Sequence, residues 1–223
     1  TKWTYEPDTS RPAANKNTVK DFSSVRLTWQ ATAKNKFAVT YDHTDVCDCP
    51  RAVTATIAPE AAAQTYQHAN RTAFGGEWTA PLTSRVLLEA AFGSVSIYWP
   101  RPRENPFLPL GTVGMISVQE QSTGLTYRAS TANFETRDNR LSSRVTLSYV
   151  TGAHAFKTGF SYGAGKLDRL EYSIDAPLLF RFNNGVPNQI TQHARDRLLR
   201  TYLDADHGLF VQDKWTIGRL TLS

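Results

Sequence analysis

Apolar and polar residues alternate along much of this chain, and short turns interrupt the alternation. Residues 24 to 33 and 36 to 45 put Val25, Leu27, Trp29, Phe37, Val39 and Tyr41 on one face and Arg26, Thr28, Gln30, Thr32, Thr40 and Asp42 on the other. The period is two, so both segments are expected to be strands. Residues 70 to 80 and 84 to 94 repeat the split, setting Phe74, Trp78, Val86, Leu88 and Phe92 against Glu77, Thr79, Leu87 and Glu89, with Leu87 blurring it. Residues 140 to 150 and 154 to 164 do so again, with Val145, Leu147, Tyr149, Phe156, Phe160 and Tyr162 against Arg144, Thr146, Ser148, Lys157 and Ser161. A fourth hairpin begins near Gly208.

The turns fall at Lys34-Asn35, Leu82-Thr83, Gly152-Ala153 and Ile217-Gly218, while residues 46 to 69, 99 to 139 and 165 to 206 form long connections holding most of the prolines. Residues 115 to 121, 125 to 129 and 170 to 174 still alternate, as strands continuing beyond a membrane would, and residues 59 to 64 suit a short helix. Tight turns at one end and long loops at the other predict an all-β, antiparallel, up-and-down transmembrane β-barrel with about eight main strands in this chain. Six aromatics, Trp29, Phe37, Trp78, Tyr149, Phe156 and Trp215, lie within about four residues of a short turn, as in an interfacial girdle. All but Trp215, whose strand is ambiguous, are assigned to the outward face. A β-sandwich core also uses alternating strands, but it would place its largest rings near strand centres and has no need of long loops at one end only.

Composition narrows the class further. The chain has 223 residues, 40% of them hydrophobic, which is enough to fold. No stretch approaches the roughly 18 apolar residues of a membrane-spanning helix, which leaves spanning strands of about ten residues untouched. The net charge of +5 is scattered rather than gathered with aromatics into a stripe, so no nucleic-acid partner is expected. The start at Thr1 lacks a leader, and the last strand, from Arg219 to Ser223, is about half a bilayer span. Residues 1–223 are therefore expected to be part of one outer-membrane barrel domain, incomplete, with its plug domain and remaining strands lying elsewhere.

Candidate chemistry is sparse. Cys47 and Cys49, in Cys-Asp-Cys at the start of the first long loop, have neither the spacing nor the second pair of a common zinc site, although His43 is near. A local disulfide or two surface thiols outweigh a metal centre. Glu77 and Glu89 could oppose each other across the second hairpin as acid and base, but lumen carboxylates paired with residues such as Arg85 or Arg144 are the commoner case. His68, His154, His193 and His207 are dispersed, with no nucleophile arranged around them. Asn70-Arg71-Thr72 matches a glycosylation pattern too short to carry weight, and Gly75-Gly76 inside a strand suggests a bulge or close backbone contact. No enzyme activity, metal or cofactor is expected. Arginine at Leu88 is expected to cost stability on a lipid face, and arginine at Thr146 on a lumen face to cost little.

The strings RLTWQATAKNKFAVTYDHTDVCDCP, TSRVLLEAAFG, HAFKTGFSYG, NNGVPNQITQHA and GLFVQDKWTIGRLTLS also resemble the barrel of TonB-dependent outer-membrane receptors, and among these the large receptors with a carboxypeptidase-regulatory-like domain. The resemblance spans nearly the whole chain, and VQDKWTIGRLTL is its most specific part. It implies a 22-stranded barrel closed by a plug and importing a scarce ligand with energy passed through TonB. The expected function is thus a partial wall of such a transporter in the bacterial outer membrane, with lipid outside and plug or lumen inside. The ligand is unknown, and the loops 46 to 69 and 99 to 139 are where it would be met. A passive porin-like channel and a secreted glycan-binding sandwich with Tyr98 and Trp99 as a stacking platform are the alternatives.

Overall fold

The computed structural model describes residues 3–7, 9–10, 17–51, 54–62, 64–100, 116–129, 133–172, 177–194 and 196–222, excepting the side chains at 48–51, 64–68, 133 and 172. In chain order the elements are β1 (Thr18–Thr32), β2 (Asn35–Arg51), α1 (Pro59–Ala62), β3 (Gln64–Pro81), β4 (Val86–Trp99), β5 (Ser117–Glu120) and β6 (Thr126–Tyr127). They continue with β7 (Asn133–Thr151), β8 (His154–Tyr172), β9 (Leu178–Asn183), β10 (Val186–Gln192), β11 (Arg197–Ile217) and β12 (Leu220–Leu222).

Eight strands form one antiparallel sheet in the order β1-β2-β3-β4-β7-β8-β11-β12, so the up-and-down reading holds and the eight main strands are those expected. The sheet is open between β1 and β12. Its register carries the alternation from strand to strand. Trp29 pairs with Phe37 and Phe37 with Trp78, while Val86 pairs with Tyr149 and Tyr149 with Phe156. Directly paired residues share a face, so a single slip would have put these rings among Arg26, Glu77 and Lys157.

The apolar face is not a core. Leu27 is 69% exposed, Leu209 85% and Val211 80%, and Trp29, Val25 and Val145 are also exposed. A soluble protein would not leave such a contiguous surface in water. What the main sheet buries is small or polar, as at Ala38, Ala80 and Thr146.

Three local expectations need correction. The first and last turns sit one residue away from the expected pairs, at Ala33-Lys34 and Gly218-Arg219. The strands of the main hairpins, 14 to 21 residues long excepting β12, exceed a ten-residue span, so part of each expected loop is strand. Cys47 in particular lies within β2, paired with Val19, and not at a loop's start. Finally, the alternation at 117–120 and 126–127 does not extend barrel strands; β5 and β6 join β9 and β10 in a separate sheet of order β10-β9-β5-β6. The end of β8 does extend as expected, through Tyr172.

That second sheet has a core of its own. Ala58, Val118, Tyr127 and Phe182 are buried together with Tyr5, Leu125 and Phe180 against them, and the Trp3 ring lies 5.4 Å from Phe180. β5 and β9 run parallel, tying the connection after β4 to the one after β8. Their junction is closed by Glu120, which accepts hydrogen bonds from the backbone N–H groups of Ser122 at 3.1 Å, Asn184 at 2.9 Å and Gly185 at 2.9 Å. Gly185 has φ 76° and Asn184 φ 50°, a left-handed pair that suits the tight Asn-Gly turn between β9 and β10.

The hydroxyl and backbone donors around Glu120 hold its carboxyl down at about 2, well below the usual range. A carboxylate whose folded value is lowered contributes stability above its unfolded value and loses it as pH falls through the folded one. The Glu120 clamp is thus expected to stay closed at pH 4. An NMR titration of the Gly185 amide should show its transition near pH 2, and Glu120→Gln should remove that transition; a midpoint at an ordinary carboxylate value would sink the assignment.

Candidate functional site

The face opposite the apolar one is a wall of hydrogen-bonded polar groups. On β1 the Arg26 guanidinium donates to Thr40 Oγ1 at 3.0 Å and to Glu77 Oε2 at 2.7 Å, bridging three strands. Ser24 Oγ donates to Asp42 Oδ1 at 2.5 Å. Further along, Glu89 accepts from Thr146 Oγ1 at 3.3 Å and faces Lys157 Nζ at 3.9 Å. Both ion pairs reach over an intervening strand, Arg26 to Glu77 across β2 and Lys157 to Glu89 across β7, and exposed pairs of this kind stabilise a sheet modestly.

These contacts answer the acid and base question. Glu77 pairs in register with Ala91, and Glu89 with Thr79, so the two carboxylates share a face without opposing each other. Their partners are Arg26, Thr146 and Lys157, not the Arg85 or Arg144 suggested by the sequence.

Level with Arg26 and Thr40, on the long-loop side of Glu77 and Glu89, the wall is bare. Register places Thr40 beside Gly75, Gly75 beside Gly93, Gly93 beside Ser142, Ser142 beside Gly163 and Gly163 beside Asp206, a row across β2, β3, β4, β7, β8 and β11. Local packing does not demand the glycines at its centre. A Cβ at Gly75 would come no nearer than 3.7 Å to any neighbour, and one at Gly93 or Gly163 no nearer than 3.6 Å. Gly75 therefore gives a flat floor, not the bulge suggested by the Gly75-Gly76 pair. Gly76, on the other face, leaves room for the Phe92 ring, which lies 2.5 Å from where its Cβ would be.

The six girdle aromatics fall into two stacked groups at the short-turn end. Trp29, Phe37 and Trp78 lie ring to ring at 5.9 Å and 6.3 Å, and the Trp78 indole N–H donates to Asn35 Oδ1 at 3.0 Å. His154 is sandwiched between Phe156 and Trp215, each at 5.4 Å, and its Nδ1 lies 2.7 Å from Asp213 Oδ2. Trp215 pairs with His154, and Asp213 with Phe156, so the register puts Trp215 on the apolar face. Tyr149 joins the second group through its pairing with Phe156. The His154–Asp213 pair on that face was not foreseen, since only its cross-strand register brings the two together.

The remaining candidates stay apart. His43 approaches Thr72 at 3.5 Å, His207 stacks on Phe160 and lies tilted against Tyr162, and His193 lies beside the second sheet. The His68 side chain is outside the described residues. Tyr98 lies beneath the Arg137 guanidinium, 4.9 Å from its ring centre. Asn70, Arg71 and Thr72 are part of β3. Cys47 is disulfide-bonded; the Cys49 side chain is outside the described residues.

Beyond the apolar band the strand ends carry paired charges. Arg197 and Arg169 converge on Glu171 at 2.6 Å and 3.2 Å, and the Arg197 bond holds the Glu171 carboxyl below its ordinary value.

Comparison with known proteins agrees with this arrangement. No curated protein sequence matches the chain. Among solved structures, the outer membrane transporter YddB from Escherichia coli superposes with a TM-score of 0.52 at 14% identity. The match covers 89% of this chain but only 25% of that one, so the chain spans about a quarter of the transporter's length. At that identity the likeness is one of fold. A family model described as "Outer membrane beta barrel domain" matches residues 6–223, nearly the full length. The chain belongs to the outer membrane beta-barrel domain family.

Proposed function

We propose that this chain is a wall segment of a TonB-dependent transporter that imports a small ligand across the bacterial outer membrane around an internal plug. The observation that carries the reading is the bare row Gly75–Gly93–Ser142–Gly163, which continues the Arg26–Thr40 pair across the wall on the long-loop side of Glu77 and Glu89. A wide water-filled pore has no use for such a floor. A packed plug does, because glycine lets another backbone approach closely while the flanking carboxylates and cations offer hydrogen bonds.

The six aromatics would mark the headgroup level at the periplasmic side, and the second sheet would stand outside the cell, where ligand is met. A Cys47–Cys49 disulfide suits that oxidising exterior. Both thiols are expected to resist alkylation until reductant is added.

Planar-bilayer conductance tests the plug. The purified protein should show no steady ion current, and a Gly93→Leu, Gly163→Leu double variant should open one, because leucine in the floor displaces the plug without touching the wall's own packing. A large constant current from the unaltered protein would favour the passive porin. Uptake should also stop when the proton-motive force is collapsed, which a porin would not notice.

A further inference from the structure

The two ends of the main sheet handle charge differently. Among the described residues at the long-loop end, six cations have a carboxylate, Arg137 with Glu135, Arg140 with Asp138, Lys166 and Arg200 with Asp168, and Arg169 and Arg197 with Glu171, while Lys20 and Arg71 do not. At the short-turn end stand Lys34, Lys36, Arg85, Lys214 and Arg219, all exposed. Among the described residues none of these five has a carboxylate partner. Lys34 Nζ donates to the Leu82 carbonyl at 3.2 Å, joining the first turn to the second, and the carboxylate of Asp213 at this end is taken by His154.

Lys34, Arg85 and Arg219 sit in the turns themselves, a step beyond the stacked aromatics. Aromatic rings of this kind settle at the boundary of headgroup and acyl chain. Side chains just past them, on long flexible stems, reach the phosphate level. Like charges placed there without counter-ions among the described residues suit an anion from outside.

We propose that Lys34, Arg85 and Arg219 form a phosphate-binding rim that recruits anionic phospholipid to the leaflet at the short-turn end. It rests on the aromatics marking that leaflet, and it says nothing of cargo. Each cation close to an anionic surface adds favourable Coulomb energy that salt weakens, so local enrichment of anionic over zwitterionic lipid should be about five-fold or more.

The test uses the purified protein in phosphatidylcholine vesicles doped with a tenth of either dibromo-phosphatidylglycerol or dibromo-phosphatidylcholine, reading quenching of the rim tryptophans Trp29, Trp78 and Trp215. The glycerol lipid should quench with an association constant about five times that of the choline lipid. The preference should fall close to unity in K34Q/R85Q/R219Q and persist in R137Q/K166Q/R200Q. If the first variant fails to fold, high salt on the unaltered protein decides, since it should abolish the preference. Equal quenching by both lipids, as for a rim that serves an acidic protein instead, overturns the proposal, and so does a preference that survives the triple substitution or the salt. The conductance and uptake measurements are independent of this one, so either reading can fail alone.

Discussion

Val145→Arg is expected to destabilise the barrel by about 2 to 4 kcal/mol, the range for a guanidinium placed near the middle of a lipid-facing strand. Val145 lies on the apolar face, 46% exposed, between Ala90 on β4 and Phe160 on β8, well inside the band bounded by Tyr149 and Leu141. Neither neighbour carries a counter-charge. The control is Ser142→Arg on the inner wall, where Gly93 and Gly163 leave open space on both sides and the cost should stay within about 1 kcal/mol for the wall itself. Reversible urea unfolding in lipid vesicles measures both. Equal penalties would mean that the two faces are misassigned. The pair chosen from sequence, Leu88 and Thr146, is a poorer test. Leu88 is only the third residue of β4, close to the turn, and Thr146 is 2% exposed and bonded to Glu89, so arginine there would be costly for reasons unrelated to lipid.

Gly159→Ala should cost about 1 to 3 kcal/mol, the usual penalty for forcing atoms into a filled site. A Cβ there would sit 2.6 Å from Phe210 Cζ and 2.7 Å from the Val145 carbonyl oxygen. Phe210 is paired with Gly159, and its ring lies across the glycine on the inner wall. Gly93→Ala, whose Cβ would come no nearer than 3.6 Å to Ser142 Oγ, should be near neutral. The double variant Gly159→Ala, Phe210→Ala should recover only part of the loss, because the backbone oxygen of Val145 stays in place. Heat-modified migration on gels ranks these variants, and the same melting temperature for Gly159→Ala and Gly93→Ala would refute the close contact.

The period-two pattern made the barrel hairpins legible because lipid outside and polar groups inside impose opposite demands on alternate residues. Trp29, Phe37, Val145 and Phe160 fall on the face assigned to them. The same pattern was silent on pairing between distant strands. Arg26 meets Glu77 across β2, and His154 meets Asp213 across the β8–β11 seam; both depend on register that no local signal encodes. Trp215 was ambiguous for that reason, as Asp213 two residues earlier contradicts an apolar face until His154 is seen beside it. The second sheet escapes the pattern because residues 115 to 121 and 125 to 129 alternate just as barrel strands do, and only the core that Val118 and Tyr127 share with Ala58 separates them. The bare inner row could have been found by projecting Gly75, Gly93 and Gly163 onto one face, but only with the register known.

The parallel β5–β9 pair sets an order of events in folding. Between its two strands the chain runs through β7 and β8, each 19 residues long. Closing so large a loop has an entropic cost that the four residues of β5 cannot offset alone, whereas the β7–β8 hairpin closes locally and brings the two connections together. The second sheet should therefore assemble last, after the wall has zipped. During biogenesis there is then an interval in which the strands span the membrane and the smaller sheet, with the Glu120 clamp still open, has yet to form.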